Sequence, residues 1–231
     1  MAGRPRTIDD ATILRAAVEV IGRSGPDGLT LAAVAKQAGV VPGTLMQRFG
    51  SKRGLLLAIA DHSLDGMTER PARIRARHPS AVAALTALLV EWAEPLATPE
   101  SYANHLAFLC VDLTDPDFHQ RALAIQRARR GAVTGLLAEA AEAGELRRDG
   151  FPGVGALTEA ALAVTSGAGL LWAVDREGTL AQRLSAALAT VLAPHLTGPP
   201  PTGSPPPTGP ATRPTGPTAP TAPAPTTGEP R

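Results

Sequence analysis

The sequence predicts an all-α protein, with a three-helix head that contains a helix-turn-helix and a larger helical domain behind it. Three observations lead there. Two short helical patterns meet at Gly39 near the N-terminus, and a third starts just after Gly50. From Pro79 to Leu196 the apolar pattern stays helical throughout. The charge is divided, with 12 Lys/Arg against 7 Asp/Glu in residues 1–77 and 10 against 14 in residues 78–231, although the net charge is only +1. A basic front on an acidic back suits a nucleic-acid-binding head on a non-binding body.

Residues 2–7 form an arm in which Arg4 and Arg6 flank Pro5. Contact with a phosphate backbone or an adjacent minor groove and plain solvation are equally compatible with it. Asp9 and Asp10 open the first helix, where negative charge meets the positive end of the dipole. Ile13, Ala17, Val20 and Ile21 supply its inner face, and a loop from Gly22 to Gly28 containing Pro26 is expected to end it. Thr30 is a good N-cap for the second helix, with Leu31, Val34 and Ala35 inside and Gly39 as a left-handed stop. Pro42 fits the first position of the third helix, because its missing N–H would be unpaired there anyway.

Leu45 and Phe49, four apart, put one face of that third helix into the core and leave Pro42, Gly43, Thr44, Gln47 and Arg48 on or near the other. Gly43 is a poor helix former, which makes sense if backbone approaches something closely; easing the packing of a short helix is the simpler alternative. Ser51 caps a fourth helix whose first turn carries Lys52 and Arg53. Cations there oppose the dipole, and an anion such as a DNA phosphate would remove the conflict. This helix is expected to run to about Arg77, with Leu55, Leu56 and Ile59 inward, Arg70, Arg73, Arg75 and Arg77 as a solvated face, and a kink or split at Pro71.

Residues 9–60 resemble the N-terminal domain of the TetR (tetracycline repressor-like) transcriptional regulators. The resemblance rests on Ile13-Leu14-Arg15-Ala16-Ala17, Gly28-Leu29-Thr30, Val34-Ala35, Ala38-Gly39-Val40, Gly43-Thr44-Leu45, Phe49, Ser51-Lys52 and Leu55-Leu56, in order and at the right spacing. It implies a regulator that binds palindromic double-stranded DNA as a homodimer, usually as a repressor, and answers to a small-molecule effector. It also implies phosphate contacts from Thr30 and Lys52, with Pro42, Thr44, Gln47 and Arg48 at the groove; Gly43, between them, completes the expected DNA-binding set. Three positions depart from the family pattern. Val41 stands where Ser or Thr is usual and forfeits a cap worth about 1 kcal/mol. Met46 replaces a Tyr and its hydroxyl, and Arg48 replaces a common His or Tyr and adds a charge able to meet phosphate or guanine.

In the body, Val82, Leu85, Leu88, Leu89 and Trp92 mark a helix from Ser80 to near Pro95, and a shorter one covers Pro99 to Leu113. Asp115-Pro116-Asp117 caps a long helix to about Ala143. Its apolar stripe of Phe118, Ala122, Ile125, Ala132 and Leu136 is interrupted by Arg129. Polar groups inside a bundle need partners, so Trp92, His105, Phe108, Gln126 and Arg129 are the expected lining of an effector pocket. For any single one of them, a solvated arginine or a satisfied core histidine is the simpler reading. A last pair of helices carries Val154, Leu157, Ala161, Val164, Ala168 and Leu171, then Leu180, Leu184, Leu188 and Val191. The small residues Ala156, Ala160, Ala163 and Gly167 allow close approach of a second copy, and the resemblance implies dimerisation through these two helices.

The expected division is therefore a head over residues 1–60, an effector-binding and dimerisation domain over 61–196, and a disordered tail over 197–231 that holds 13 of the 23 prolines. The single cysteine, Cys110, allows no intramolecular disulfide and is expected as a buried thiol in a cytoplasmic protein. No signal peptide is visible, and the 15-residue apolar run Ala160–Val174 falls short of the roughly 20 residues a membrane span needs. No cofactor or metal is expected: His119 lies four residues after Asp115, but capping explains both aspartates of that turn. The rival readings are a helical-bundle enzyme or metal protein, opposed by the absence of Glu-x-x-His, Cys-His, phosphate-loop and serine-nucleophile patterns, and an adaptor that has lost DNA binding.

Overall fold

Asp9 accepts the Thr12 amide at 2.7 Å and so starts the first helix, α1 (Asp10–Gly28). The computed structural model describes residues 8–147, 150 and 152–198, so the Arg4/Arg6 arm and residues 199–231 of the expected tail lie outside the described residues. Helix continues through the expected loop after Gly22, but it is broken at Gly25, whose φ of 68° lies in the left-handed region. The remaining helices are α2 (Leu31–Ala38), α3 (Pro42–Phe49), α4 (Lys52–Arg75), α5 (Ala81–Ala93), α6 (Pro99–Thr114), α7 (Pro116–Glu142), α8 (Val154–Asp175) and α9 (Leu180–Leu192). Among the described residues the only β contact is an isolated bridge between Leu146 and Leu196.

The caps explain most of these boundaries. Thr30, Ser51, Ser80, Thr98 and Thr179 each accept a backbone N–H three residues on, and Asp115 accepts those of Asp117 and Phe118. Val41 caps α3 without a side-chain bond, as its lack of a hydroxyl predicts. α4 runs through Pro71 to Arg75 as one helix.

One core gathers Ile13, Ala17, Leu29, Val34, Leu45, Leu55 and Ile59 from α1 to α4, and Phe118 of α7 is buried in it. A second joins α5, α7, α8 and α9 through Leu85, Leu88, Leu137, Leu157 and Leu188. A third, around Tyr102, Trp172 and Leu184, closes α6 onto α8 and α9. Tyr102 lies so close to Gly169 that a Cβ there would meet its hydroxyl at 2.6 Å.

Four expectations are corrected. Arg70 and Arg73 both pair with Glu91 of α5, and Arg75 bonds Glu139 of α7 at 2.7 Å, so these arginines bridge helices instead of forming a solvated face. Cys110 is exposed: with Ala103, Ala107 and Thr114 it forms the outward row of α6, despite its apolar neighbours in sequence. α8 is 22 residues long and, by length and composition, apolar enough to cross a membrane, with 33% of its most apolar window buried. Leu171, expected inward, is 62% exposed, and Trp172 takes the buried place.

Glu145 ties the end of α7 to the start of α5, accepting the amides of Ala81 at 2.8 Å and Val82 at 3.2 Å and the hydroxyl of Ser80 at 2.5 Å. Burial raises its pKa, but these bonds and the charge of Arg75 outweigh it and hold the carboxyl below its ordinary value. A depressed carboxylate contributes stability above its unfolded pKa and loses it as pH falls through the folded one. Glu145→Gln is therefore expected to cost about 1–2 kcal/mol at neutral pH, the range for a screened, charge-assisted bond set. Melts over a pH series test this: the gap between wild type and variant should be full at neutral pH and narrow as pH falls through the lowered folded pKa of Glu145.

Candidate functional site

The turn between α2 and α3 is made by Gly39, at φ 69°, whose N–H reaches the carbonyls of Ala35 and Lys36, and by the Val40 amide on Ala35 at 2.9 Å. With Leu45 fully buried and Phe49 half-buried, α3 turns Pro42, Gly43, Met46 and Gln47 outward and leaves Thr44 half-buried beside them. Nothing lies within 4 Å of where a Cβ on Gly43 would stand. Thr30 and Lys52 are exposed at the starts of the two flanking helices, α2 and α4. The Thr30 hydroxyl accepts the Ala33 amide at 3.0 Å, and an accepting hydroxyl still has a proton to donate. Six of the seven expected head residues are therefore accessible, four on α3 and two at the starts of α2 and α4.

Arg48 stands apart from that outer row. Its side chain is half-buried, and Nη1 donates to the Ile8 carbonyl at 2.6 Å and to Asp10 at 2.7 Å, bracing the end of α3 against the entry to α1. Arg53, whose charge at a helix start suggested a phosphate, has protein anions instead. It donates to Asp115 at 2.9 and 3.1 Å and to Asp117 at 2.6 Å, with its Cζ 5.1 Å from the centre of the Phe118 ring. The hydrogen bonds from Arg53 are the largest influence holding Asp115 below the usual carboxylate range. Together with Asn104, which donates to the Gly22 carbonyl at 2.8 Å, this contact links the start of α4 and the end of α1 to α6 and α7.

Sequence reasoning gave Val41 and Met46 only as losses, of a cap and of a hydroxyl. At 68% and 53% exposed they are the large apolar side chains that the head presents to solvent, next to Gln47. Val41 is exposed although it lies four residues before Leu45, because as the N-cap of α3 its backbone is extended, not helical.

The expected body site assembles in part. Trp92 of α5 is 7% exposed, and the Arg129 guanidinium of α7 lies over its ring, 5.7 Å from the centre. Tyr102 and His105 of α6 lie within reach of the Arg129 charge. Burial, and after it that charge, lowers the His105 pKa, although the residue as a whole is exposed. Two of the expected residues belong elsewhere. Phe108 packs edge-on against Phe118, with ring centres 6.1 Å apart, beside the head core, and Gln126 is exposed. Two surface depressions lie away from this group, one of about 430 Å³ beside Ser80 and Glu145 and one of about 610 Å³ between α1 and the start of α6. No group of three or more His, Cys, Asp or Glu able to hold a metal occurs among the described residues.

Comparison with known proteins agrees with this geometry. Residues 13–59 match the model for the family described as bacterial regulatory proteins, tetR family. No curated protein matches the chain in sequence. Among solved structures, a TetR transcriptional regulator of Streptomyces coelicolor is 23% identical with a TM-score of 0.62, over 82% of this chain and 100% of that one. The regulator FadR from Bacillus subtilis, solved in complex with stearoyl-CoA, is 20% identical with a TM-score of 0.59, over 80% of this chain and 98% of that one. The TetR-family regulator PfmR from Thermus thermophilus is 18% identical with a TM-score of 0.57, over 78% and 97%. At such identities the likeness is one of fold, and the sequence match lies in the head. The head, α1 to α4, thus carries the signature of the tetR family of bacterial regulatory proteins, and the chain as a whole shares the fold of solved regulators.

Proposed function

We propose that this protein is a ligand-responsive repressor that binds palindromic operator DNA as a homodimer and is released when a small molecule occupies its body. The observation that carries the DNA half is the outer face of α3. Pro42, Gly43, Thr44, Met46 and Gln47 project together between the exposed helix starts at Thr30 and Lys52. Gln47 reads an adenine edge or its equivalent, and Met46 and Val41 meet thymine methyl groups. Thr30 and Lys52 hold the backbone, and the remaining N–H groups of the Arg48 fork donate to a phosphate at the groove rim.

The dimer half rests on α8 and α9. The outward row Ala156, Ala163, Gly167, Leu170, Leu171 and Val174 leaves an apolar face on a helix whose other side is fully packed. A second copy related by a two-fold would cover it, and would set two α3 helices about 34–36 Å apart, or a multiple of that, for successive half-sites. Effector binding shifts the balance between two head spacings only through different affinity for each. The Arg53–Asp115–Asp117 contact and Phe118 are the rigid route from body to head.

Gel-shift titration against genomic fragments, repeated over a salt series, tests the reading. Wild type should select an inverted repeat, with affinity falling steeply as salt rises. Lys52→Ala should weaken all sequences alike and reduce the salt slope by about 1, whereas Gln47→Ala should cost about 1–3 kcal/mol at one base pair and relax specificity there. Selection of no inverted repeat, or unchanged binding in both variants, would sink the proposal in favour of an adaptor that has lost DNA binding.

A further inference from the structure

Arg129 is held in an unusual state for a cation. Its Nε is shut off from solvent without a hydrogen-bond partner, and so is the indole Nε1 of Trp92, against which it stacks. Among the described residues Arg129 makes no ion pair, while its neighbour Arg130 pairs with Glu159 and Arg121, two turns earlier, pairs with Asp61. Burial pushes the Arg129 pKa down, and the one group that acts the other way is the Tyr102 hydroxyl, not a carboxylate. The charge felt by His105 in the same seam is also that of Arg129. The seam between α5, α6 and α7 thus holds one unanswered positive charge and two orphaned donors. Its surroundings are aromatic and apolar: Trp92 against the guanidinium, Tyr102 within reach of its charge, and Trp172 edge-on to Tyr102 with ring centres 6.3 Å apart.

A partly buried guanidinium whose Nε is shut off from solvent, with no anion beside it, is costly, and a planar fork is matched best by a carboxylate that accepts two parallel N–H bonds. We propose that Arg129 and the Trp92 indole N–H are the anchor for the carboxylate of an organic monoanion with an apolar body, the effector class of this protein. This rests on the reading of the chain as a ligand-responsive regulator and gives that ligand its chemistry. One guanidinium supplies one positive charge, which favours a monocarboxylate over a phosphate dianion. The apolar surroundings favour a hydrocarbon or aromatic body over a sugar. His105, which lies within reach of the same charge and keeps an accessible face, can add a hydrogen bond.

The test uses octanoate and 4-phenylbutyrate as probes, with the corresponding uncharged amides as controls, on the full-length protein. Binding is followed by calorimetry and by tryptophan fluorescence in a Trp172→Phe background, which leaves Trp92 as the single reporter. Either carboxylate should bind and perturb Trp92 at least tenfold more tightly than its amide. Arg129→Gln should abolish that preference, Arg129→Lys should restore part of it, and Trp92→Phe, which keeps a ring but removes the N–H, should weaken binding severalfold. Melting curves of each variant check that the fold survives, and DNA binding is measured on the same samples. No carboxylate binding, equal binding of acid and amide, or an unaltered preference in Arg129→Gln would overturn the anion site. Loss of these with DNA binding intact refutes the anchor alone, whereas carboxylate binding by a protein that never binds DNA refutes the regulator reading and spares the anchor.

Discussion

Gly54→Ala should unfold the head, while Gly43→Ala should leave it intact and still weaken DNA binding. A Cβ built on Gly54 would stand 2.0 Å from the Phe49 carbonyl oxygen and 3.2 Å from its carbon, both backbone atoms that cannot rotate away. The start of α4 could make room only by moving off the end of α3, which would pull Leu55 and Leu56 out of the head core. Forcing atoms into a packed region typically costs 1–3 kcal/mol, and backbone obstruction puts this variant at about 3 kcal/mol or more. Gly43 has the same residue type and the opposite surroundings, with nothing within 4 Å. In α3 an alanine there should stabilise the helix by up to ~1 kcal/mol through propensity alone. If a sugar-phosphate backbone approaches α3 closely, the added methyl will nevertheless reduce affinity. Thermal melts and gel shifts on the two variants separate packing from contact. A Gly54→Ala protein with wild-type melting, or a Gly43→Ala protein with wild-type affinity, would contradict the corresponding half.

Leu171→Glu with Val174→Glu should turn the proposed dimer into a monomer without unfolding it. Both side chains are exposed in the single chain, at 62% and 77%, so the protomer loses no buried contact. In a two-fold assembly, however, each substitution appears twice, and four carboxylates would enter an apolar seam without partners. Leaving a charge buried and unpaired costs about 3–5 kcal/mol, enough to raise the dissociation constant more than a hundredfold. Light scattering at micromolar protein reads the mass directly. Affinity for an inverted repeat should fall with it, since each monomer then engages one half-site. A wild-type protein that scatters as a monomer would remove the dimer from the proposal, and a variant that stays dimeric would move the interface elsewhere.

The head was the more legible part because its signals are local. Caps at Thr30 and Ser51, the stop at Gly39 and the proline at the start of α3 act within one turn of helix, so they could be placed from sequence and recur in the structure. The four-residue spacing of Leu45 and Phe49 fixed which side of α3 faces outward. The body gave its helix boundaries by the same means, but its side-chain partners depend on which helices become neighbours. The acid partners of Arg70, Arg73 and Arg75 come from α5 and α7, and those of Arg53 stand more than sixty residues away. No periodicity carries that information.

Sequence by itself determined that this chain is helical, and where its helix-turn-helix begins and turns. Tertiary structure decided the rest. It turned Arg53 towards Asp115 and Asp117, set Cys110 outward and Leu171 on an open face, and separated Phe108 and Gln126 from Arg129 while bringing Trp92 to it. The physical reason is that helix formation is settled by bonds four residues apart, whereas charge pairing and burial are settled by contacts between segments that are distant in the chain.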